Sequence, residues 1–414
     1  MAVTSGLRFI LWFFRGLVVL SALMGLGWIV SRLAGWESAG KTITERLATR
    51  FVAGWALICI CGILFLALGV FSPLLWFFLF LPGMVVAVLG GLKQLRGLRG
   101  KCVRFPGNLS LSLIPLSFLV SALLTGAVLM ASVPPDSRDE LAYHLLLPQQ
   151  WAQSGGWVQP PGNPRLMFPA NTEILFSWAS TIGGEGSARF LALGAALLCL
   201  ALLVDGAKSS PARLLTLAFV LVTPMFLLSM SIAYVEYFLA LLILLGWRAA
   251  MTVPGRSAGL TGLAWGLALG VKYTAIPIVG LLVLEAVWKL GARKRKEQGM
   301  LLASFLIATL LCAAPWYLRN LQVTGDPLYP FGTLIWAPDG SSAQEALVMT
   351  EFSPIPAKWR FSPWLFHGLE NPLADEHLHP LWALLIPGVI FLGWNEPDTV
   401  LPGNNVFYQG LSHL

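Results

Sequence analysis

FVAGWALICICGILFLALGVFSPLLWFFLFLPGMVVAVLGG, residues 51–91, decides the fold class. It holds two apolar runs, 51–71 and 73–91, joined only by Ser72-Pro73. About 20 apolar residues carry a helix across the hydrocarbon core of a bilayer, so this stretch predicts two transmembrane helices in a tight hairpin. The pattern continues in both directions, with further candidate spans at 9–30, 110–131, 187–204, 212–231, 233–250, 259–273, 275–290, 299–318 and 380–394. The expected fold is all-α, a polytopic transmembrane helix bundle of about 11 spans at that length per crossing.

Composition agrees. Only 11% of the residues are charged, where a soluble domain keeps about a quarter. With 57% hydrophobic residues, lipid has to solvate most of the surface, because a folded chain of this size leaves much of its area exposed. The net charge of +7 would suit an anionic partner, but the basic residues bunch in short loops between apolar runs. That is a topology signal rather than a nucleic-acid surface. The five cysteines (Cys59, Cys61, Cys102, Cys199, Cys312) show no CxxC spacing and imply neither a metal framework nor a disulfide set.

The strongest basic loops are Lys93, Arg96, Arg99, Lys101 and Arg104, and then Arg293 to Lys296. Weaker ones are Lys208 with Arg213, and Arg248 with Arg256. If each intervening span crosses once, all four loops share a face, and the positive-inside rule makes it cytoplasmic. The first apolar run lacks a clean cleavage site and reads as a retained helix. It places Arg32, Lys41, Arg46 and Arg50 inside as well. The chain then divides into N-terminal helices (1–131), a first large outer loop (132–186), a helical core (187–318), a second outer loop (319–379), and a last helix with a short tail (380–414). Loops of such length are usually functional or disordered, and aromatic content argues against disorder here. They are expected to be folded and partly helical.

Five polar clusters fall on the outer face. DSRDELAYHLLLPQQW, 136–151, holds Asp139 and Glu140 beside Tyr143 and His144. A carboxylate there suits a general base, and equally suits the first turn of a helix. SIAYVEYFLALL, 231–242, places Glu236 just inside an apolar span, a costly position that is functional by default unless the side chain snorkels. GLALGVKYTAIPI, 266–278, carries Lys272 and Tyr273. Lys272 can meet a phosphate as a point charge or reach into headgroups.

APWYLRNLQVTGDPLYPF, 314–331, carries Arg319 and Asn320. Arg319 can hold a phosphate bidentately or serve as an interfacial anchor. PGNPRLMFPANTEILFSWAS, 161–180, carries Arg165 and Asn171, where Asn171-Thr172-Glu173 can also cap the following helix. His367, His377 and His379 lie further on, and two histidines without further ligands are a weak metal signal. A divalent cation such as Mg or Mn is an open possibility if Asp139, Glu140 and Glu236 converge. Acids gathered with an Arg/Lys pair suit a reaction in which phosphate leaves and a hydroxyl or amine attacks.

These stretches carry a resemblance. DELAYHLLLPQQW with FPANTEILFSWA, then AYVEYFLAL, GLALGVKYTA and APWYLRNLQVTGDPLYP, over roughly 130–335, resemble the GT-C superfamily of membrane glycosyltransferases. The likeness is to family-39-like members related to protein O-mannosyltransferases and the lipid A aminoarabinose transferase. It implies inverting transfer of a sugar from a polyprenyl-phosphate donor to a glycan, lipid or protein acceptor, at the periplasmic face of a bacterial inner membrane. Asp139 matches the position of the base, with Glu140 beside it. Glu236 matches a second acid that is more usually Asp, and Lys272 and Arg319 match basic positions near the donor phosphate. Tyr143, His144, Arg165, Asn171, Tyr273 and Asn320 are then candidate substrate contacts. The chain departs from the pattern in having several spans before the acidic loop and little after the second outer loop, so a partner subunit is conceivable. The alternative functions are a polyprenyl-lipid or solute transporter or flippase, and a non-catalytic subunit of the same fold. Transporters usually place their charges near the midplane on repeated, broken helices, whereas these charges gather at one face.

Overall fold

The computed structural model describes residues 2–38, 42–98, 113–158, 163–207, 209–252, 257–290 and 295–332, all within a first unit, Met1–Phe352. The predicted span 380–394, His367, His377 and His379, and several basic-loop residues, Arg99, Lys101, Arg104, Lys208, Arg256, Arg293 and Lys294 among them, lie outside the described residues. Among the described residues regular structure is helical throughout. In chain order the α-helices are α1 (Ala2–Leu33), α2 (Ile43–Ala67), α3 (Pro73–Leu98), α4 (Ile114–Ala131), α5 (Leu146–Ser154), α6 (Asn171–Gly183), α7 (Gly186–Asp205), α8 (Ser210–Leu221), α9 (Pro224–Ser229), α10 (Glu236–Thr252), α11 (Ala258–Leu269), α12 (Ala275–Leu290), α13 (Arg295–Cys312) and α14 (Ala314–Thr324).

Among the described residues five helices are long and apolar enough to cross a bilayer: Ile10–Leu33, Ile43–Ala67, Pro73–Lys93, Ile114–Ala131 and Gly186–Asp205. A sixth crossing follows if α13 and α14, bent by 46° at their junction, count as one. Several runs expected to be single spans turn out shorter or broken. The run 212–231 splits into α8 and α9 around Thr223-Pro224, where proline removes a backbone donor. The 12 residues of α11 reach only about 18 Å, short of the roughly 30 Å hydrocarbon core.

Core and periphery divide cleanly. In α2 and α7 most of the apolar window is buried, 61% and 72%, whereas in α3 and α4 the share is 11% and 17%. The outer helices therefore present Leu74, Phe78 and Phe118 to their surroundings, each more than 70% exposed. Contiguous apolar surface of this kind fits lipid rather than water. Against this rim α1 packs closely through small residues. A Cβ on Gly25 would lie 1.9 Å from the carbonyl oxygen of Gly83, so α1 and α3 touch backbone to backbone, as small residues permit in membranes.

The helices place polar groups at two opposite ends. At one end, Thr42 caps α2 in a capping box with Glu45. Glu45 Oε1 accepts from Arg248 Nη2 at 2.8 Å, and Arg248 Nη1 donates to the Leu202 carbonyl at 2.9 Å. Arg50 pairs with Glu37 nearby in sequence at 2.7 Å. Glu236 begins α10, and about 18 Å of helix at 1.5 Å per residue separates it from Arg248. The groups around Glu236 therefore form the other end. Arg248 and Glu236 thus lie toward opposite ends of α10.

Candidate functional site

The site is built where the loop after α4 meets the first turns of α6, α7 and α10. The loop enters through a single π-helical turn, Glu140–His144, closed by the Leu145 N–H donating to the Glu140 carbonyl at 2.9 Å. Such wide turns recur at functional sites because they redirect side chains that an α-turn would stack. Here one turn presents Asp139, Glu140, Tyr143 and His144 in four different environments.

Glu140 is fully buried, and both of its oxygens are taken. Arg189 Nε donates to Oε1 at 2.8 Å, the Ala233 N–H donates to the same oxygen at 2.9 Å, and Arg189 Nη2 holds Oε2. Arg189 also reaches Asp136 at 2.6 Å and the Val133 carbonyl at 3.1 Å. This satisfied network ties the loop to α7 and to the segment before α10, and it accounts for Glu140 as an anchor rather than a reacting group. Asp139, its neighbour, is about a quarter exposed and, among the described residues, has its nearest ionic partner in Arg165 Nη1 at 3.9 Å, beyond hydrogen-bonding distance. The two adjacent carboxylates that the sequence offered as equivalent candidates thus differ sharply.

His144 Nδ1 lies 2.6 Å from Glu173 Oε1, both side chains nearly fully buried. Among the described residues Glu173 Oε2 has no hydrogen-bond partner. Glu236 Oε1 accepts from Lys272 Nζ at 2.8 Å, while its Oε2 is likewise unpartnered. The Lys272 and Glu236 side chains keep 36% and 43% of their surface accessible although protein encloses them on most sides. They therefore line a recess rather than fill a core. Asp139 and Glu173 lie within electrostatic range of Lys272, and His144 within that of Glu236, so the charged groups converge from four segments.

Tyr143 stands among them. Burial pushes its phenol well above the usual range, and the charges of Asp139, Glu236 and Glu173 push the same way while Arg165 opposes. Tyr143 is accordingly a neutral hydrogen-bond donor and acceptor at physiological pH.

Asn171 is buried and structural. Its Nδ2 donates to the Leu267 carbonyl at 3.0 Å, its Oδ1 accepts from Trp316 Nε1 at 2.8 Å, and its carbonyl accepts from Trp55 Nε1 at 3.1 Å. It locks the start of α6, and so Glu173, to α2, α11 and α14. The approach at Gly270 is close enough that a Cβ would lie 2.1 Å from Asn171 Nδ2. That contact explains glycine before Val271-Lys272.

Arg319 and Asn320 form a second network. Arg319 Nη2 donates to the Met167 carbonyl at 2.6 Å and to Asn320 Oδ1 at 2.9 Å. Its guanidinium lies over Trp157 and Trp316, 5.5 and 5.2 Å from the ring centroids, with Nη1 buried and unpartnered. Asn320 Nδ2 donates to the Tyr273 hydroxyl at 2.8 Å. Tyr143, Phe168 and Tyr273, with ring centroids 6.4 and 5.8 Å apart in turn, bridge the two networks. Lys272 and Arg319, expected to form one basic pair, therefore stand in separate networks, Lys272 on Glu236 and Arg319 against tryptophan.

Among the described residues no group of three or more His, Cys, Asp or Glu side chains gathers with metal-binding spacing. Of the acids proposed as joint ligands, Glu140 is committed to Arg189 and Glu236 to Lys272. Sequence reasoning missed Arg189, and it took Glu173 for a cap. For Arg189 a signal was present, a charged residue inside an apolar run.

These features define a helical membrane protein with a charged recess at one end of its bundle. The chain belongs to the family described as a domain of unknown function (DUF8201), which matches residues 9–350 and so includes every residue of the recess. No curated protein and no solved structure matches it.

Proposed function

We propose that the chain is a membrane glycosyltransferase of GT-C type, with about 11 spans at the usual length per crossing. It transfers a sugar from a polyprenyl-phosphate donor to a hydroxyl or amine at the periplasmic face of a bacterial inner membrane. The observation that carries the reading is the convergence of Asp139, Glu173, Glu236, His144 and Lys272 on one recess, from four separate segments, at the end of the bundle opposite Arg248. A recess of this kind supplies what such a transfer needs. Asp139 is the accessible, loosely held carboxylate and acts as base toward the acceptor. Lys272 and the half-satisfied Arg319 are the cations that take up charge on the departing phosphate.

Glu140 is not part of the chemistry in this reading; it keeps Asp139 in place. The test is transfer of a labelled sugar from a panel of polyprenyl-phosphate donors by purified protein in proteoliposomes. Asp139→Asn is expected to abolish transfer while thermal stability and membrane insertion stay at wild-type level. Full activity in that variant would remove Asp139 as base. Accumulation of labelled lipid on the far leaflet with no glycosidic product would instead establish a flippase.

A further inference from the structure

Three arginines spend their Nε–Nη2 edge on a carboxylate: Arg50 on Glu37, Arg189 on Glu140 and Arg248 on Glu45. Arg319 uses the same edge on a neutral amide. Its Nε and Nη2 donate to Asn320 Oδ1 at 3.2 and 2.9 Å, and Nη2 donates also to the Met167 carbonyl at 2.6 Å. Among the described residues no carboxylate pairs with Arg319, although it is only 6% exposed. A buried cation without a counter-charge is costly, and Nη1, buried without a partner, adds to that cost. An anionic oxygen arriving at Nη1 offsets both.

Asn320 stands as a candidate substrate contact in the sequence, but its side chain is fully buried, so it acts through its neighbours. Its Nδ2 donates to the Met167 carbonyl and to the Tyr273 hydroxyl, each at 2.8 Å. A guanidinium only donates and a carbonyl only accepts, so the amide fits in one orientation. It fixes the plane of the guanidinium and leaves the charge whole. The two tryptophans that enclose the guanidinium differ. Trp316 is fully buried, with Nε1 tied to Asn171. Trp157 lies just past Gly155, the left-handed residue that ends α5, and is partly exposed. One wall belongs to the core and the other to the surface.

We infer that Asn320 is the positioning residue of a phosphate subsite. It holds Arg319 by the Nε–Nη2 edge without neutralising it, so that Nη1 meets a phosphate oxygen admitted on the Trp157 side. That the phosphate belongs to a polyprenyl lipid rests on the glycosyl-transfer reading above; the anion subsite itself does not.

The experiment measures binding of labelled polyprenyl phosphate, and of polyprenol without the phosphate, to the purified full chain in lipid nanodiscs. Asn320→Asp supplies the missing counter-charge and is expected to weaken polyprenyl phosphate about 10-fold while leaving polyprenol unchanged. A packing role alone weakens both lipids alike, and that result overturns the inference. In parallel, the arginine-selective reagent phenylglyoxal is followed through the mass shift of the peptide carrying Arg319. Arg319 is expected to react slowly in wild type and faster in Trp157→Ala, where polyprenyl phosphate protects it and polyprenol does not. Equal reactivity in the two chains, or no protection by polyprenyl phosphate, overturns the inference. If Asn320→Asp does not insert, the protection result decides alone. Equal protection by inorganic phosphate at the same concentration overturns the lipid as the source of the anion. A chain that binds as expected but transfers no sugar defeats the glycosyl-transfer reading and leaves the subsite standing. A chain that transfers sugar while polyprenyl phosphate leaves Arg319 unprotected defeats this inference alone.

Discussion

Both ends of the bundle carry ion pairs, but they are finished to different degrees. At the Arg248 end the guanidinium donates to Glu45, to the Leu202 carbonyl and, at 3.4 Å, to Asp205. At the recess end, among the described residues, three charged groups keep a buried atom without a partner: Glu173 Oε2, Glu236 Oε2 and Arg319 Nη1. Buried polar atoms are normally satisfied. One end is therefore built for stability, while the other tolerates a cost of the sort that accompanies function. Even within the recess end the contrast repeats between Glu140, held on both oxygens, and Asp139 beside it.

Five substitutions break or sharpen this contrast. The largest effect is expected from Arg189→Leu, which leaves the buried Glu140 carboxylate without its counter-charge. Losing one partner of a buried pair costs about 3–5 kcal/mol, so the variant should show a collapsed melting temperature or fail to accumulate. Asn171→Ala comes next, stranding the Trp316 Nε1 and cutting the tie from α6 to the Leu267 carbonyl. A loss of about 2–3 kcal/mol is expected, readable by thermal unfolding in detergent, with transfer activity falling alongside because Glu173 is no longer fixed.

Paired glutamine variants then compare the ends directly. Glu45→Gln should destabilise by about 1–2 kcal/mol through lost charge-assisted bonds to Arg248. Glu236→Gln, from an accessible and half-satisfied pair, should stay within about 0.5 kcal/mol of wild type yet impair transfer. Equal destabilisation by both would erase the distinction between the ends. The smallest effect belongs to Glu37. The hydrogen bond from Arg50 holds its carboxyl below the usual range against the opposing effect of burial. Its stabilisation is therefore present above the pKa of an unfolded glutamate and lost as pH falls through the lower folded value. Being only partly buried and open to solvent screening it contributes at most about 1 kcal/mol, and Glu37→Gln should remove this part of the acid sensitivity of the melting curve.

Much of the fold was legible because apolar length and proline punctuation are local properties. The helix boundary at Ser72-Pro73 appears where expected, with α3 starting at Pro73. However, α2 and α3 do not form the expected tight hairpin, since both pack mainly on α1 rather than on each other. The breaks at Thr223-Pro224 and at the α13–α14 bend were not read, since apolar residues continue through both and hydropathy alone does not see a bend. In the site, Asp139, Glu236 and Lys272 stood out as charges at the edges of apolar runs, and the structure brings them together. Their division into partners did not stand out. Arg189 meets Glu140 across 49 residues of chain, and His144 meets Glu173 across 29. Pairings at such separations are set by tertiary packing, which neither spacing nor composition encodes. The same holds for Lys272 and Arg319, which read as a matched basic pair until one is seen on a carboxylate and the other between tryptophans.

The central claim is that the recess cleaves a sugar from a lipid phosphate. It is tested most directly by incubating the purified chain with labelled polyprenyl-phosphate sugars and measuring free polyprenyl phosphate. The account predicts release of polyprenyl phosphate in step with glycosylated acceptor, lost in Asp139→Asn and retained, in proportion to the folded fraction, in Glu140→Gln. Release unchanged in Asp139→Asn, or no release from any donor by a correctly inserted wild-type chain, would contradict it.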